Sequence, residues 1–279
     1  MPDLTGKIGL GTVQFGTDYG IANTRGIVPK QEVNAILDLF KSRGGRILDT
    51  ASAYGTAEEV LGIFDLNGFD VVSKWMPPAE GQSIADLLKE SLTKLGLEKI
   101  YGYLAHRPLY VLENRDSWQE VLQQKKQGLV GKIGFSLNRP EELKVLEKAG
   151  ITPDLIQVPF NYFDRRFDNV CREFKEKGGE VHTRSAFLQG LFFVPSERLD
   201  PHFDEVKQIL CKLQDDESNL AGELLRFALQ NPWADAVLIG VDNVEQLSLN
   251  YKSLISVNGL PSFDKSISDS ILIPSNWKL

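Results

Sequence analysis

Cysteine is nearly missing from this 279-residue chain, which has only Cys171 and Cys211. Two cysteines make no disulfide framework and match no metal-ligand spacing, and such low usage fits a reducing compartment. Histidine is scarce as well: His106, His182 and His202 are the whole set. No metal site is therefore expected. No apolar run approaches the roughly 20 residues that a membrane span needs. The opening Met-Pro-Asp-Leu-Thr-Gly-Lys lacks the basic-then-apolar order of a signal peptide. Positive charge is in deficit, with a net charge of -7 at pH 7. That argues against nucleic acid or an anionic membrane as partner. Low-complexity segments and linkers are absent too. A soluble, cytoplasmic, globular protein acting on a small molecule is the expectation, with oligomeric state left open.

What is present is a steady alternation of short apolar runs and helical patterns. Strands are expected at 8–10, 46–50, 70–75, 100–106, 131–136, 154–158, 180–184 and 236–240. Helical spacing follows most of them. Val33, Ile36, Leu37 and Phe40 recur at helical intervals after Pro29, and Ile84, Leu87, Leu88, Leu92 and Leu95 form a stripe behind a capping Ser83. Alternation of this kind implies a parallel sheet in an α/β protein, and eight units imply a closed (β/α)₈ TIM barrel spanning 1–279 as one domain. The competing open, doubly wound sheet announces itself with a G-x-G-x-x-G turn. Gly9-Leu-Gly11-Thr-Val-Gln14 lacks the third glycine. The Ser/Pro/Asn-rich tail from Asn258 to Leu279 reads as a loop covering one end of the barrel.

Chemistry in such a fold collects at the carboxyl ends of strands. Arg46-Ile-Leu-Asp-Thr-Ala-Ser-Ala-Tyr-Gly55 begins as a strand and ends in small, polar residues. It puts Asp49 at a strand end and Tyr54 in the loop beyond. Lys74 closes the third apolar run, and His106 closes the fourth. A free phenol has a pKa of roughly 10, and an adjacent ammonium favours its phenolate. Lys74 is suited to that task, Asp49 to holding Lys74 charged, and His106 to orienting a carbonyl. Each residue alone has an ordinary reading as a cap, a turn residue or a structural histidine; four at successive strand ends are harder to dismiss. A tyrosine that protonates a carbonyl oxygen implies a hydride for the carbon. No side chain supplies one, so a nicotinamide cofactor is expected.

Leu48-Asp-Thr-Ala-Ser-Ala-Tyr-Gly55, Ser73-Lys74 and Leu104-Ala-His106-Arg-Pro108 together resemble the aldo-keto reductases. The resemblance runs from Gly9-Leu-Gly-Thr12 to the last helix. It implies an extended NADP(H), reduction of an aldehyde or ketone, Tyr54 as general acid/base tuned by Asp49 and Lys74, and His106 orienting the carbonyl. It also carries over Gly11, Thr12, Ser136, Gln157, Arg184, Ser185, Asp242, Gln246 and Asn250 as cofactor contacts. Several positions depart from the pattern. Leu137 stands where an asparagine is usual, with Asn138 one further. Arg184 takes the place of an aromatic that stacks on the nicotinamide, and a cation there disfavours the oxidised, positively charged ring. After the eighth strand the lysine and arginine that suit a 2′-phosphate are replaced by Asp242 and Gln246. NAD(H) therefore stays open beside NADP(H).

Two other functions remain open on this reading: a cofactor-binding regulatory or partner-binding barrel with little turnover, and an isomerase or lyase with Lys74 as Schiff-base nucleophile. The substrate is not spelled out, although a compact chain suggests an open pocket for a polar, sugar-like carbonyl compound. Trp75, Tyr110, Phe160 and Phe193 lie beside strand ends, with core packing the first reading for all but Trp75. His182 and His202 read as structural or surface residues.

Overall fold

Successive side chains of a strand point to opposite faces, and in a closed barrel one face is the interior. The computed structural model describes residues 4–216, 219–255 and 259–277. Its strands are β1 (Ile8–Gly11), β2 (Ile47–Asp49), β3 (Asp70–Trp75), β4 (Ile100–Ala105), β5 (Val130–Ser136), β6 (Leu155–Pro159), β7 (Glu180–Arg184) and β8 (Ala236–Ile239). All neighbours pair in parallel, and β1 pairs with β8 to close the barrel. The helices are α1 (Lys30–Ser42), α2 (Ala57–Leu61), α3 (Ile84–Leu95), α4 (Tyr110–Glu113), α5 (Arg115–Lys126), α6 (Pro140–Lys148), α7 (Asp168–Glu176), α8 (Asp204–Asp216), α9 (Leu220–Leu229), α10 (Val244–Ser253) and α11 (Asp269–Leu272). The chain is a TIM barrel of eight parallel strands with helices between them.

Local chemistry explains the element ends. Ser83 caps α3 through a reciprocal capping box with Asp86, and Gly96 ends the helix in the left-handed conformation at φ 65°. Strand β3 shows what the alternation does. Val72 packs inside the barrel with Leu104 and Leu155. Val71 and Trp75 belong to the larger core between barrel and helices, and Ser73 on their face bonds Glu58 of α2. Lys74, in phase with Val72, therefore points inward. The same phase puts Glu180, His182 and Arg184 of β7 on one face.

Toward the amino ends of the strands the barrel holds a charged cluster. Tyr101 donates to both carboxylate oxygens of Glu180, at 3.0 and 2.8 Å, and His182 lies 2.7 Å from it. Lys132 also pairs with Glu180. Burial opposes ionisation of Glu180, but the bonds from His182, Lys132 and Tyr101 outweigh it and hold its pKa down to about 2.

Beyond the barrel the tail differs from a plain loop, because Asp269–Leu272 forms α11. Arg139 and Arg166 both pair with Asp269 and tie the tail to the barrel. Ile273, Pro274 and Ser275 then reach the edge of the main cleft. Asn258, Lys278 and Leu279 of the tail, and Met1 to Asp3 of the amino terminus, lie outside the described residues.

Candidate active site

The residues singled out on β2, β3 and β4 meet. Lys74 Nζ donates to Asp49 Oδ2 at 2.7 Å, to the Thr50 carbonyl at 2.8 Å and to the Tyr54 hydroxyl at 3.2 Å. Lys74 is fully buried. Burial alone would strip its proton, but Asp49 and Tyr54 more than compensate and raise its pKa above the ordinary lysine value. The amine is an ammonium with three acceptors, which makes it a poor Schiff-base nucleophile.

Two glycines set the Tyr54 loop. Gly55 turns at φ 55°, and a Cβ on Gly16 would lie 2.0 Å from the Tyr54 carbonyl oxygen. Only glycine lets the segment after β1 approach this closely. Thr12, fully buried, donates its hydroxyl to the Asp49 carbonyl at 3.0 Å and pins the end of β1 to that of β2.

His106 follows β4, its ring edge-on to Tyr54 with centroids 5.9 Å apart. Burial first, then the cations of Lys74, Arg184 and Arg107, push its pKa down to about 3. The imidazole is neutral at any ordinary pH. Its Nδ1 is buried with no partner. An unpaired N–H there would be costlier than an unpaired lone pair, so the single proton belongs on Nε2. The ring lines the cleft, which makes it a neutral hydrogen-bond donor for a carbonyl.

The cleft, about 680 Å³, is a ligand-sized volume. It runs from Asp49, Tyr54 and His106 past Ser136, Asn138, Arg184 and Ser185 to Gly11, Thr12, Gly240, Asp242 and Gln246. Residues 185–190 after β7 cover part of it, with Ser185 at φ 66°, Leu188 at 44° and Gln189 at 53°. Three such left-handed residues in one loop store strain of the kind found at ligand clamps. Gln189 Nε2 donates to the Tyr19 hydroxyl at 2.8 Å, and its carbonyl accepts from Ile21. The loops after β1 and β7 thus clasp each other over the cleft.

Three expected contacts lie behind the wall. Lys74 sits beneath Tyr54. Gln157 is fully buried and gives its amide to Asp49 Oδ1 at 2.6 Å, with Ser136 Oγ 3.4 Å from its oxygen. Its amide is spent on holding Asp49. Asn250 is nearly buried, with Nδ2 unpaired. Arg184 is anchored by the Leu137 carbonyl at 2.9 Å and Asn138 Oδ1 at 2.7 Å, so its guanidinium is fixed at the cleft wall.

The aromatics divide. Trp75 is core, edge-on to Tyr110, and Phe160 stacks on Phe227. Phe193 lines the cleft, together with Tyr19, Gln14, Asn23, Arg107, Phe187 and Gln189. None of those six was singled out by the sequence, since they sit on loops and short turns between the regular elements. His182 is buried on Glu180, and His202 bonds the Ser270 carbonyl.

A dinucleotide fits this site chemically. The cleft is ligand-sized and lined by many polar groups, and Gln14 in its lining keeps a buried Oε1 with no protein partner. Among the described residues no cluster of His, Cys, Asp and Glu suits a metal ion, and no helix is long and apolar enough to cross a membrane.

Known proteins match on both sequence and structure. The profile of the aldo/keto reductase family matches residues 7–260. Rhazimal reductase 2 of Alstonia scholaris is 34% identical over 165 residues, 48% of this chain and 50% of its own. The NAD/NADP-dependent indole-3-acetaldehyde reductase of Schizosaccharomyces pombe is 30% identical over 157 residues, 51% and 55% of the two chains. The aligned region thus spans about half the length of these curated relatives. The holo structure of an aldo-keto reductase from Bacillus halodurans superposes with a TM-score of 0.71 at 20% identity, covering 91% of this chain and 88% of that one. A likeness at that identity speaks for the fold.

Proposed function

The chain belongs to the aldo/keto reductase family, and we propose that it reduces an aldehyde or ketone with a nicotinamide dinucleotide, NADP(H) or NAD(H), using Tyr54 as general acid. The observation that carries this reading is the Lys74 ammonium, 2.7 Å from Asp49 and 3.2 Å from the Tyr54 hydroxyl, beneath an open cleft. A bound reduced nicotinamide would supply the hydride for the carbonyl carbon. Tyr54 gives its proton to the carbonyl oxygen as negative charge develops there. Lys74 then stabilises the phenolate left behind, and Asp49, held by Gln157, keeps Lys74 in place. His106 donates to the same carbonyl oxygen from Nε2 and fixes its direction. Gly11, Thr12, Ser136, Arg184 and Ser185 would hold the nicotinamide half, and Asp242 and Gln246 the adenosine half, with Asn250 buried behind them.

The cleft wall mixes Tyr19, Phe187, Phe193 and Ile273 with Arg107 and Gln189. A first screen should therefore include both sugar-like carbonyls and aromatic aldehydes. A cytoplasmic location fits two cysteines that are both free. The test is Tyr54→Phe, which deletes the proton donor and keeps the ring. We expect turnover to fall at least about 100-fold, as for loss of a general acid, with cofactor affinity within twofold of the parent. Unchanged turnover refutes the role of Tyr54. Tight cofactor binding by the parent, with no reduction of any carbonyl, would favour a regulatory barrel.

A further inference from the structure

The far end of the cleft carries charge of the wrong sign for a phosphate. Asp242 and Gln246 line it where β8 gives way to α10. A helix amino terminus ordinarily attracts phosphate, because its first N–H groups lack partners. Here the protein already uses two of those donors. Val244 N donates to Glu32 Oε1 at 2.6 Å, and Gln246 N to Asn243 Oδ1 at 2.8 Å. Just before the helix, Asp242 N donates to Gln246 Oε1 at 2.6 Å.

One of those acceptors is itself a carboxylate, Glu32, reaching across from α1. Glu245 adds another acid in the first turn of α10. Asp18, on the loop after β1, acts on Asp242 electrostatically, and Arg25 on the same loop acts in the opposite sense. Asp242, the acid that lines the cleft, thus has Asp18, Glu32 and Glu245 in its neighbourhood, set against Arg25. Asp242 is only half-exposed, so water screens it incompletely. One turn on from Gln246, Asn250 shares its helix face and keeps a buried, unpaired Nδ2.

We propose that this site selects NAD(H) over NADP(H), with the Asp242 carboxylate accepting the hydroxyls of the adenosine ribose. The proposal rests on reading the cleft as a nicotinamide dinucleotide site. Ribose hydroxyls are donors, and a carboxylate is their natural acceptor. A 2′-phosphate dianion at the same place would meet Asp242, and the N–H groups of Asp242, Val244 and Gln246 are already given to protein oxygens. Asp18, which acts on Asp242, and Glu32, bonded to the start of α10, add to the unfavourable charge.

Equilibrium binding to the full chain, followed by calorimetry with NADH and with NADPH, tests the proposal without any turnover. We expect NADH to bind at least tenfold more tightly. The NADPH disadvantage should shrink as salt is raised, since charge repulsion is its cause. Asp242→Lys should move the NADH-to-NADPH affinity ratio at least tenfold toward NADPH. Asp242→Asn, which keeps the acceptor oxygen and the size, should move it part of the way. Equal or tighter NADPH binding by the parent overturns the proposal. So does an unmoved ratio in an Asp242→Lys variant that still binds NADH. Binding of neither dinucleotide would overturn the nicotinamide reading itself, an outcome distinct from either of those.

Discussion

Replacing Asp49 with Asn would strand the Lys74 ammonium in the barrel. The substitution keeps side-chain size and one acceptor oxygen but removes the charge that Lys74 faces at 2.7 Å. Two unit charges at that separation attract by about 6 kcal/mol at an effective dielectric of 20. Breaking a buried pair by removing one partner costs about 3–5 kcal/mol in practice. Lys74 has no exposed surface, so the upper part of that range applies. The new amide also needs an acceptor for its NH₂, and both Asp49 oxygens now accept, from Lys74 and from Gln157. Gln157 can turn its oxygen to meet the amide, which settles the hydrogen bonds but not the charge. At about 3 °C per kcal/mol for a chain of this size, the melting midpoint at pH 7 should drop about 12–15 °C.

The pH dependence separates this explanation from simple packing damage. In the parent, Lys74 has a raised pKa. Its contribution is therefore complete below the ordinary lysine value and lost only as pH climbs through the raised one. In Asp49→Asn, burial loses its main opponent, with only Tyr54 left to counter it, and the pKa of Lys74 falls, so the folded state gives up the proton before the unfolded chain does. The deficit should narrow as pH rises from 7 to 9.5. Adding Lys74→Met to Asp49→Asn should recover most of the lost stability, because it removes the stranded charge. Thermal melts at the two pH values, on both variants, read this directly. A single variant within 1 kcal/mol of the parent, or a deficit that ignores pH, refutes the account.

Two further outcomes follow from the site and the barrel floor. With its pKa near 3, His106 should contribute no inflection to kcat/KM between pH 5 and 8. His106→Gln, which keeps a donor, should retain at least tenfold more activity than His106→Ala; a clear limb near pH 6.5 that vanishes in either variant contradicts a neutral imidazole. Glu180 has a pKa depressed to about 2 by His182, Lys132 and Tyr101. Its stabilisation is therefore present above the ordinary glutamate range, about pH 4.3, and lost as pH falls toward 2. Acid titrations of parent and Glu180→Gln, followed by circular dichroism, should show a shallower decline for the variant over that window.

How much of this was legible in the sequence depended on range. The strand around Ile47 and Leu48 and the turn at Gly55 are written in neighbouring residues, so Asp49 and Tyr54 could be placed directly. Period-two alternation then carries Lys74 inward with Val72, and the same rule puts Trp75 among the helices; its rank as an even candidate for the cleft came from proximity to Lys74 alone. The tail hid α11 because four residues give no periodicity. The loop after β7 was opaque for another reason. Ser185, Leu188 and Gln189 adopt left-handed conformations without the glycine that usually signals them. Their bridge to Tyr19 joins residues 170 positions apart. Gln157 is a similar case: strand pairing puts it beside Ser136, but its bond to Asp49 crosses the barrel interior, where no local pattern reports it.

The site divides into a part that is complete before any ligand arrives and a part whose charges become significant only with one. Every hydrogen bond of Lys74 goes to the protein, and Asp49 is held from two sides by Lys74 and Gln157. Nothing in that set depends on a cofactor. Arg184 at one end of the cleft and Asp242 at the other belong to loops or strand ends whose charges face the cleft itself. The gradient between them has a direction. Lys74, Arg184 and Arg107 surround His106 with positive charge, which on the proposed mechanism would favour a neutral, reduced ring over an oxidised one. Asp242 puts a carboxylate at the other end, where the proposal above places ribose hydroxyls and not a phosphate. Substitutions at Asp242 should therefore change which dinucleotide is held while the Tyr54–Lys74–Asp49 geometry stays as it is.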